Sequence, residues 1–461
     1  MMVYYSILFI SFFLLALSIR LFRKILHGLA LNSVGLVDKL MTGGDDDDEK
    51  IKIISKSTNR LLASLGKTLL LFLVAILVGA VPLALYCVIS NLAYSELDFL
   101  SINPVLAISA GATIAFIIPI SKRKDNLGYS ELARLLHRMA LDNYNISNRL
   151  FKRERKKIRK KGIGPKNEFV VISGLARAGT TSLMNDLAEI HAFKSLSYAN
   201  MPYLMAPNTW AKFYKPKSKK LKERSHKDGI KIGLNSNEAL EEYFFKVKAD
   251  DSYVFDDRLE EYSISEDDYK DYLDYHAVIR KNNNKIYLAK NNNFILRYKS
   301  VRAFNDDFLM VILFRDPLTH AASLLAKHHD YLQMQEQDTF ILEYMNWLGH
   351  HEFGQNQKHF IFSNSKEFEY SDKDSLNYWL ESWINYYSYA LSIEHPNTIF
   401  VNYDEFCEKP KDIVSRIISK MKIQIELPEY ENFTNKRKTV DKYSEELLAE
   451  AQGIFEKLCE K

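Results

Sequence analysis

Three long stretches without a charged side chain lie within the first 121 residues, and they constrain the fold more than any other feature. Met1–Ile19, Thr68–Ser95 and Phe99–Ser121 are built mostly from Leu, Ile, Val, Phe and Ala. A helix needs about 20 apolar residues to cross the hydrocarbon core of a bilayer. Each stretch is therefore expected to span a membrane, at about 1–19, 68–95 and 99–121. A cleaved leader fits the first stretch poorly, because no basic region precedes it and Arg20, Arg23 and Lys24 follow where a cleavage site would lie. Lys122, Arg123 and Lys124 follow the third stretch, whereas Asn91–Asn103 contains Glu96 and Asp98 but no Lys or Arg. Positive charge stays on the cytoplasmic side, so the 20–67 loop and everything beyond 121 are expected in the cytoplasm.

The acid run GGDDDDEK (43–50) reads as a solvated loop, because consecutive acids lack the alternating spacing of a calcium loop. After the third stretch, residues 122–165 read as a helical, basic juxtamembrane linker that includes RLFKRERKKIRKKG (149–162). Its expected partner is a bilayer with anionic headgroups, where each cation near the surface gains on the order of 1 kcal/mol. Nucleic acid is not expected as a partner, since 62 Lys+Arg against 58 Asp+Glu leave the whole chain nearly balanced.

Residues 166–461 have the composition of a soluble α/β domain. FVVIS (169–173), FLMVILF (308–314) and TIFVNY (398–403) are short apolar runs, each followed by a turn and a helix-like pattern. Strands alternating with helices argue for a parallel sheet with helices on both faces, with a ligand at the carboxyl ends of the strands. Cys87, Cys407 and Cys459 cannot make a disulfide scaffold, and no Cys/His spacing calls for a metal. Trp379, Trp383, Tyr386 and Tyr387 recur at helical spacing and are expected in the core rather than in a sugar-stacking platform.

The loop after the first strand carries the chemistry. Gly174-Leu-Ala-Arg177-Ala178-Gly179-Thr180-Thr181-Ser182 stands between a strand and a helix, where backbone amides and the helix dipole converge on an anion. It has the GxxxxG spacing of a Walker A loop, but Thr180 stands where the lysine belongs and Arg177 adds a cation inside the loop. An ATPase is therefore disfavoured. Arg315 at the end of the second run and Ser323, eight residues later, can offer a guanidinium fork and a hydroxyl to one further phosphate.

These segments resemble the sulfotransferases that use 3′-phosphoadenosine 5′-phosphosulfate (PAPS). VVISGLARAGTTSLMNDL (170–187) is similar to their 5′-phosphosulfate loop and VILFRDPLTHAASLL (311–325) to their 3′-phosphate segment. Weaker similarities follow in order: Lys290 in YLAKNNNFILR, the lead-in FNDDFLMVILFRDP and the turn VNYDEFCEKPKDIV. The resemblance covers about 165–425 and implies the P-loop-like sulfotransferase fold, PAPS as co-substrate and no metal. It assigns Gly174, Arg177, Ala178, Gly179, Thr180, Thr181, Ser182, Arg315 and Ser323 to nucleotide binding, and Arg177 and Lys290 to catalysis. Many relatives place a Glu about 20 residues after the loop cation, but SLSYANMPYL (195–204) has no acid. For the general base the chain offers His226, Glu238 and Asp228, in that order, with Glu241, Glu242 and His191 behind them.

The expectation is a multi-pass membrane protein whose cytoplasmic domain transfers a sulfuryl group from PAPS to a hydroxyl of a lipid, glycan or lipid-linked acceptor. A non-catalytic nucleotide-binding scaffold and a P-loop kinase or NTPase are the alternatives.

Overall fold

The computed structural model describes residues 2–42, 47–117, 131–214, 222–223, 231–232, 239–430, 432 and 442–461. The chain forms two compact units, residues 1–135 and 136–461.

In the first unit, helices run over Met2–Thr42, Asp47–Ser90 and Ile102–Ile117. Two parts, Met2–Phe22 and Gly66–Ser90, are long and apolar enough to cross a membrane by length and composition. Leu69, Leu73, Ile76 and Leu77 are each more than half exposed. An exposed apolar face of this kind marks a surface for lipid or for another protein. The helices touch closely where Gly111 meets the first helix: a Cβ there would lie 2.3 Å from the Phe9 carbonyl oxygen, so only glycine permits the contact.

Of the third expected span, 99–121, the structure describes 99–117, where an apolar helix runs over Ile102–Ile117; residues 118–121 lie outside the described residues. Asp98 explains the late start, because its Oδ1 accepts the amides of Leu100 and Ser101, both at 3.0 Å, and holds this turn outside the helix. Within the 20–67 connection, helix extends through Thr42 and resumes at Asp47, while 43–46 of the acid run lie outside the described residues.

The second unit is built on a five-stranded sheet. Its strands are β1 (Phe169–Ser173), β2 (Phe193–Lys194), β3 (Ile286–Lys290), β4 (Leu309–Phe314) and β5 (Thr398–Asn402). They lie in the order β2-β3-β1-β4-β5, and every pairing is parallel. Alternate residues of β1 feed two cores: Val170 and Ile172 pack with Leu183, Leu187, Val414 and Ile417, whereas Phe169 and Val171 belong with Tyr272, Tyr275, Trp383 and Tyr386. Helices therefore cover both faces, and β1 is buried throughout. β3 and β4 flank β1 on opposite sides, so the chain diverges at the carboxyl end of β1, where open α/β sheets form a crevice.

The aromatic helix Leu376–Ser392 lies in the core: Trp379, Trp383, Tyr386 and Tyr387 are buried, and the Tyr387 hydroxyl donates to the Leu313 carbonyl at 2.8 Å. The basic segment is more than a linker. Its helix, Tyr144–Lys160, buries Ser147, Phe151, Glu154 and Ile158 on one face and belongs to the second unit. Arg159 pairs with Asp274 at 2.5 Å, and Arg155 with Asp271. Lys152, Arg153, Lys156, Lys157 and Lys160 stay exposed.

Candidate active site

Four strand ends meet at the carboxyl edge of the sheet. The loop after β1 turns sharply, with Arg177 at φ 70° and Gly179 at φ 95°, and delivers the chain into the helix Thr180–Glu189. Gly179 is required twice over: its backbone is left-handed, and a Cβ would lie 2.1 Å from the ring of Tyr403. Tyr403, just past β5, thereby presses the loop into shape.

Thr180 and Thr181 open that helix, so their amides have no carbonyl one turn back within it. The Ala178 amide, by contrast, donates to the Leu175 carbonyl at 3.1 Å and is used inside the loop. Ala178 is fully buried and gives the loop its shape rather than a donor to a ligand. Ser182 lies close enough to the Tyr403 hydroxyl to hydrogen bond with it.

Three cations converge on the loop from separate elements. Lys290, the last residue of β3, donates to the Thr181 hydroxyl at 2.8 Å. Arg177 reaches from the loop toward Ser323, with Nε 3.4 Å from its hydroxyl oxygen. Arg315, one residue past β4, is buried and lies under the Tyr403 ring at 5.5 Å. Burial lowers the Arg315 guanidinium below its ordinary value, and the like charge of Arg177 acts in the same direction. Two guanidinium groups and an ammonium gathered at one edge repel each other and favour an anion among them.

The helix carrying Ser323 begins at Pro317 and is capped by Asp316, whose Oδ1 accepts the Thr319 amide at 2.9 Å. Asp316 is thus occupied as a cap. His320, one turn on, is wholly buried and has Nε2 2.8 Å from the Ala176 carbonyl. Burial, with the charges of Arg315 and Arg177, lowers its pKa to about 3. It stays neutral at physiological pH, donates to the loop backbone and adds no further positive charge. Sequence reasoning passed over His320, although it stood inside the quoted RDPLTHAAS segment.

The general-base expectations separate. His226, Asp228 and Glu238 lie outside the described residues. His191 lies at the opposite, amino-terminal edge of the sheet, where Lys285, just before β3, approaches its Nδ1 to 2.9 Å. Glu241 and Glu242 are buried in a polar network. Glu242 makes a bidentate ion pair with the fully buried Arg297 at 2.6 and 2.7 Å. Glu241 accepts from Tyr272 at 2.6 Å and Asn291 at 3.0 Å, and burial holds its carboxyl above the usual range. Their partners come from distant segments. Both acids hold the fold together rather than facing a substrate. Among the described residues, no group of three or more His, Cys, Asp and Glu side chains could hold a metal.

No family model matches the chain, and no curated protein does. Among solved structures, the chain is similar to sulfotransferase STF1 from Mycobacterium tuberculosis, with 14% identity over 65% of this chain and 79% of that one, at a TM-score of 0.37. It is also similar to sulfotransferase STF9 from Mycobacterium avium, with 12% identity over 71% of this chain and 76% of that one, at a TM-score of 0.35.

Proposed function

We propose that the chain is a membrane-anchored sulfotransferase that moves the sulfuryl group of PAPS to an acceptor hydroxyl. The observation that carries this reading is the convergence of Arg177, Lys290 and Arg315 on a strand-to-helix loop that has Thr180 in place of the Walker lysine. A nucleoside triphosphate brings its largest charge at the γ-phosphate, where that lysine would sit. PAPS divides its charge between a 5′-phosphosulfate and a 3′-phosphate, and two cation groups at one edge suit it. The opening amides of the helix, Thr181, Arg177 and Lys290 would hold the phosphosulfate, and Arg315 with Ser323 the 3′-phosphate.

Sulfuryl transfer passes through a loose transition state, with charge building on the bridging and peripheral oxygens. Positioned donors do most of the catalytic work in such a step. Lys290 and Arg177 would face that developing charge, while His320 holds the loop backbone and Tyr403 fixes its turn. The Arg315 role is testable by calorimetric titration of the full chain with 3′,5′-bisphosphoadenosine (PAP). Arg315→Ala is expected to weaken binding by about 2 kcal/mol, roughly 30-fold, the loss for a charge-assisted contact. Unchanged affinity would contradict the 3′-phosphate assignment.

The acceptor is proposed to be a lipid, glycan or lipid-linked hydroxyl at the cytoplasmic membrane face. Two apolar helices support a membrane location, and the exposed face of Lys152, Arg153, Lys156, Lys157 and Lys160 supports contact with anionic headgroups. In nanodiscs, acetylation of these lysines by a soluble reagent should be slower with phosphatidylserine than with phosphatidylcholine alone. Equal labelling in both would contradict headgroup contact.

A further inference from the structure

Three consecutive asparagines follow Lys290, and between them they tie two other segments, 241–242 and 349–352, to the site. Asn291 donates to Glu241 and Glu242, both at 3.0 Å. Asn293 donates to the Gly349 carbonyl at 2.8 Å, and Asn292 to Oε1 of Glu352 at 3.2 Å. The first two bonds stay within the buried interior. Glu352 differs, because its side chain keeps 16% of its exposure and can be reached from outside.

Glu352 also stands in the right company. His350 Nδ1 lies 3.6 Å from its other oxygen, and the charge of Lys290 acts on it. Lys290 is in turn bonded to Thr181 of the anion loop. A partly exposed carboxylate thus lies within electrostatic range of the amine that bonds to the anion loop. Of the other acids near this edge, Glu241 and Glu242 are committed to the buried network and Asp316 to a helix cap. Burial pushes the Glu352 carboxyl up, but His350, then a backbone hydrogen bond and then Lys290 outweigh it and hold the group below the usual carboxylate range. At neutral pH it is therefore ionised and able to accept a proton.

We propose that Glu352 is the general base for the acceptor hydroxyl, with Asn292 and His350 as its positioning residues. This rests on the sulfuryl-transfer reading above. As the acceptor oxygen bonds to sulfur, its proton passes to Glu352. The bond from sulfur to the bridging oxygen breaks, and the electron pair stays on the 5′-phosphate of PAP. No oxidant, reductant or further reactant is needed.

The test uses the full chain in nanodiscs, sulfur-labelled PAPS, and a total lipid and glycan extract as acceptor. Glu352→Gln keeps the shape and the bond from Asn292 but removes the base. Transfer is expected to fall by about 100-fold or more, the usual contribution of a general base, while PAP affinity by calorimetry is unchanged. The rate should fall at acid pH as Glu352 is protonated, and this limb should be missing from the residual rate of Glu352→Gln. His350→Ala should move the limb to higher pH, because the group that most lowers the carboxyl is gone.

Transfer by Glu352→Gln close to the wild-type rate would overturn the proposal alone. Loss of PAP binding together with transfer would also overturn it, in favour of a purely structural carboxylate. Failure of the unaltered chain to bind PAP would overturn the sulfotransferase reading, and this proposal with it.

Discussion

Arg177→Ala is expected to abolish sulfuryl transfer while leaving PAP binding in part intact. Arg177 holds a left-handed backbone conformation at the tightest point of the loop, and its guanidinium reaches the Ser323 hydroxyl at 3.4 Å. It therefore stands between the loop and the Arg315 helix, where the transferred group would pass between phosphate and acceptor. Removing one preorganised donor from a developing oxyanion costs about 3–4 kcal/mol, or 100- to 1,000-fold in rate. PAP lacks the sulfuryl group, so most of its contacts should survive. Arg177→Lys should restore part of the rate, since it keeps the charge and loses the planar fork. Turnover of labelled PAPS and calorimetry with PAP separate these effects. Transfer near the wild-type rate in Arg177→Ala would remove this residue from the mechanism.

The second large effect is on stability. Glu242→Ala is expected to cost about 3–5 kcal/mol, because it strands the fully buried Arg297 without its bidentate partner. Arg297 also packs over Phe245 at 4.2 Å and Tyr253 at 5.1 Å, so it cannot swing out to water without opening the core. In thermal unfolding, a unit of this size should lose about 4–7 °C. The double variant Glu242→Met with Arg297→Met should recover most of the loss, because a buried ion pair is often replaceable by apolar groups of similar volume. Glu242 also receives the Asn291 side chain, next to Lys290, so nucleotide affinity should weaken along with stability. A single variant as stable as the wild type would contradict the role given to this pair.

Much of the sheet was legible because its signals are local. FVVIS is β1 itself, and FLMVILF and TIFVNY differ from β4 and β5 by one residue each. Short runs of Val, Ile, Leu and Phe that end at a turn can hardly do anything else. β3 escaped notice because IYLAK mixes Tyr, Ala and Lys, and pairing with β1 and β2 makes it a strand. The loop and both arginines were legible from their spacing, as was Lys290 through its resemblance.

What the sequence withheld were contacts between distant segments. Asn292 and Glu352 are 60 residues apart, as the bond between them records. Glu241 and Glu242 stood among the general-base candidates, yet Arg297, Tyr253 and Tyr272 come from elsewhere to bury them. At the third apolar stretch the helix starts at Ile102 rather than Phe99, because Asp98 holds the residues before it in a turn. The cations of the basic segment were plain, whereas its buried face of Ser147, Phe151, Glu154 and Ile158 shows its meaning only once packed.

The most direct measurement of the central claim is label transfer by the full chain in a bilayer. It would be incubated with a lipid and glycan extract and either sulfur-labelled PAPS or ATP labelled at its terminal phosphate. The account predicts label in the extract from PAPS and none from ATP. Label from ATP, or PAP binding without any transfer from PAPS, would contradict it.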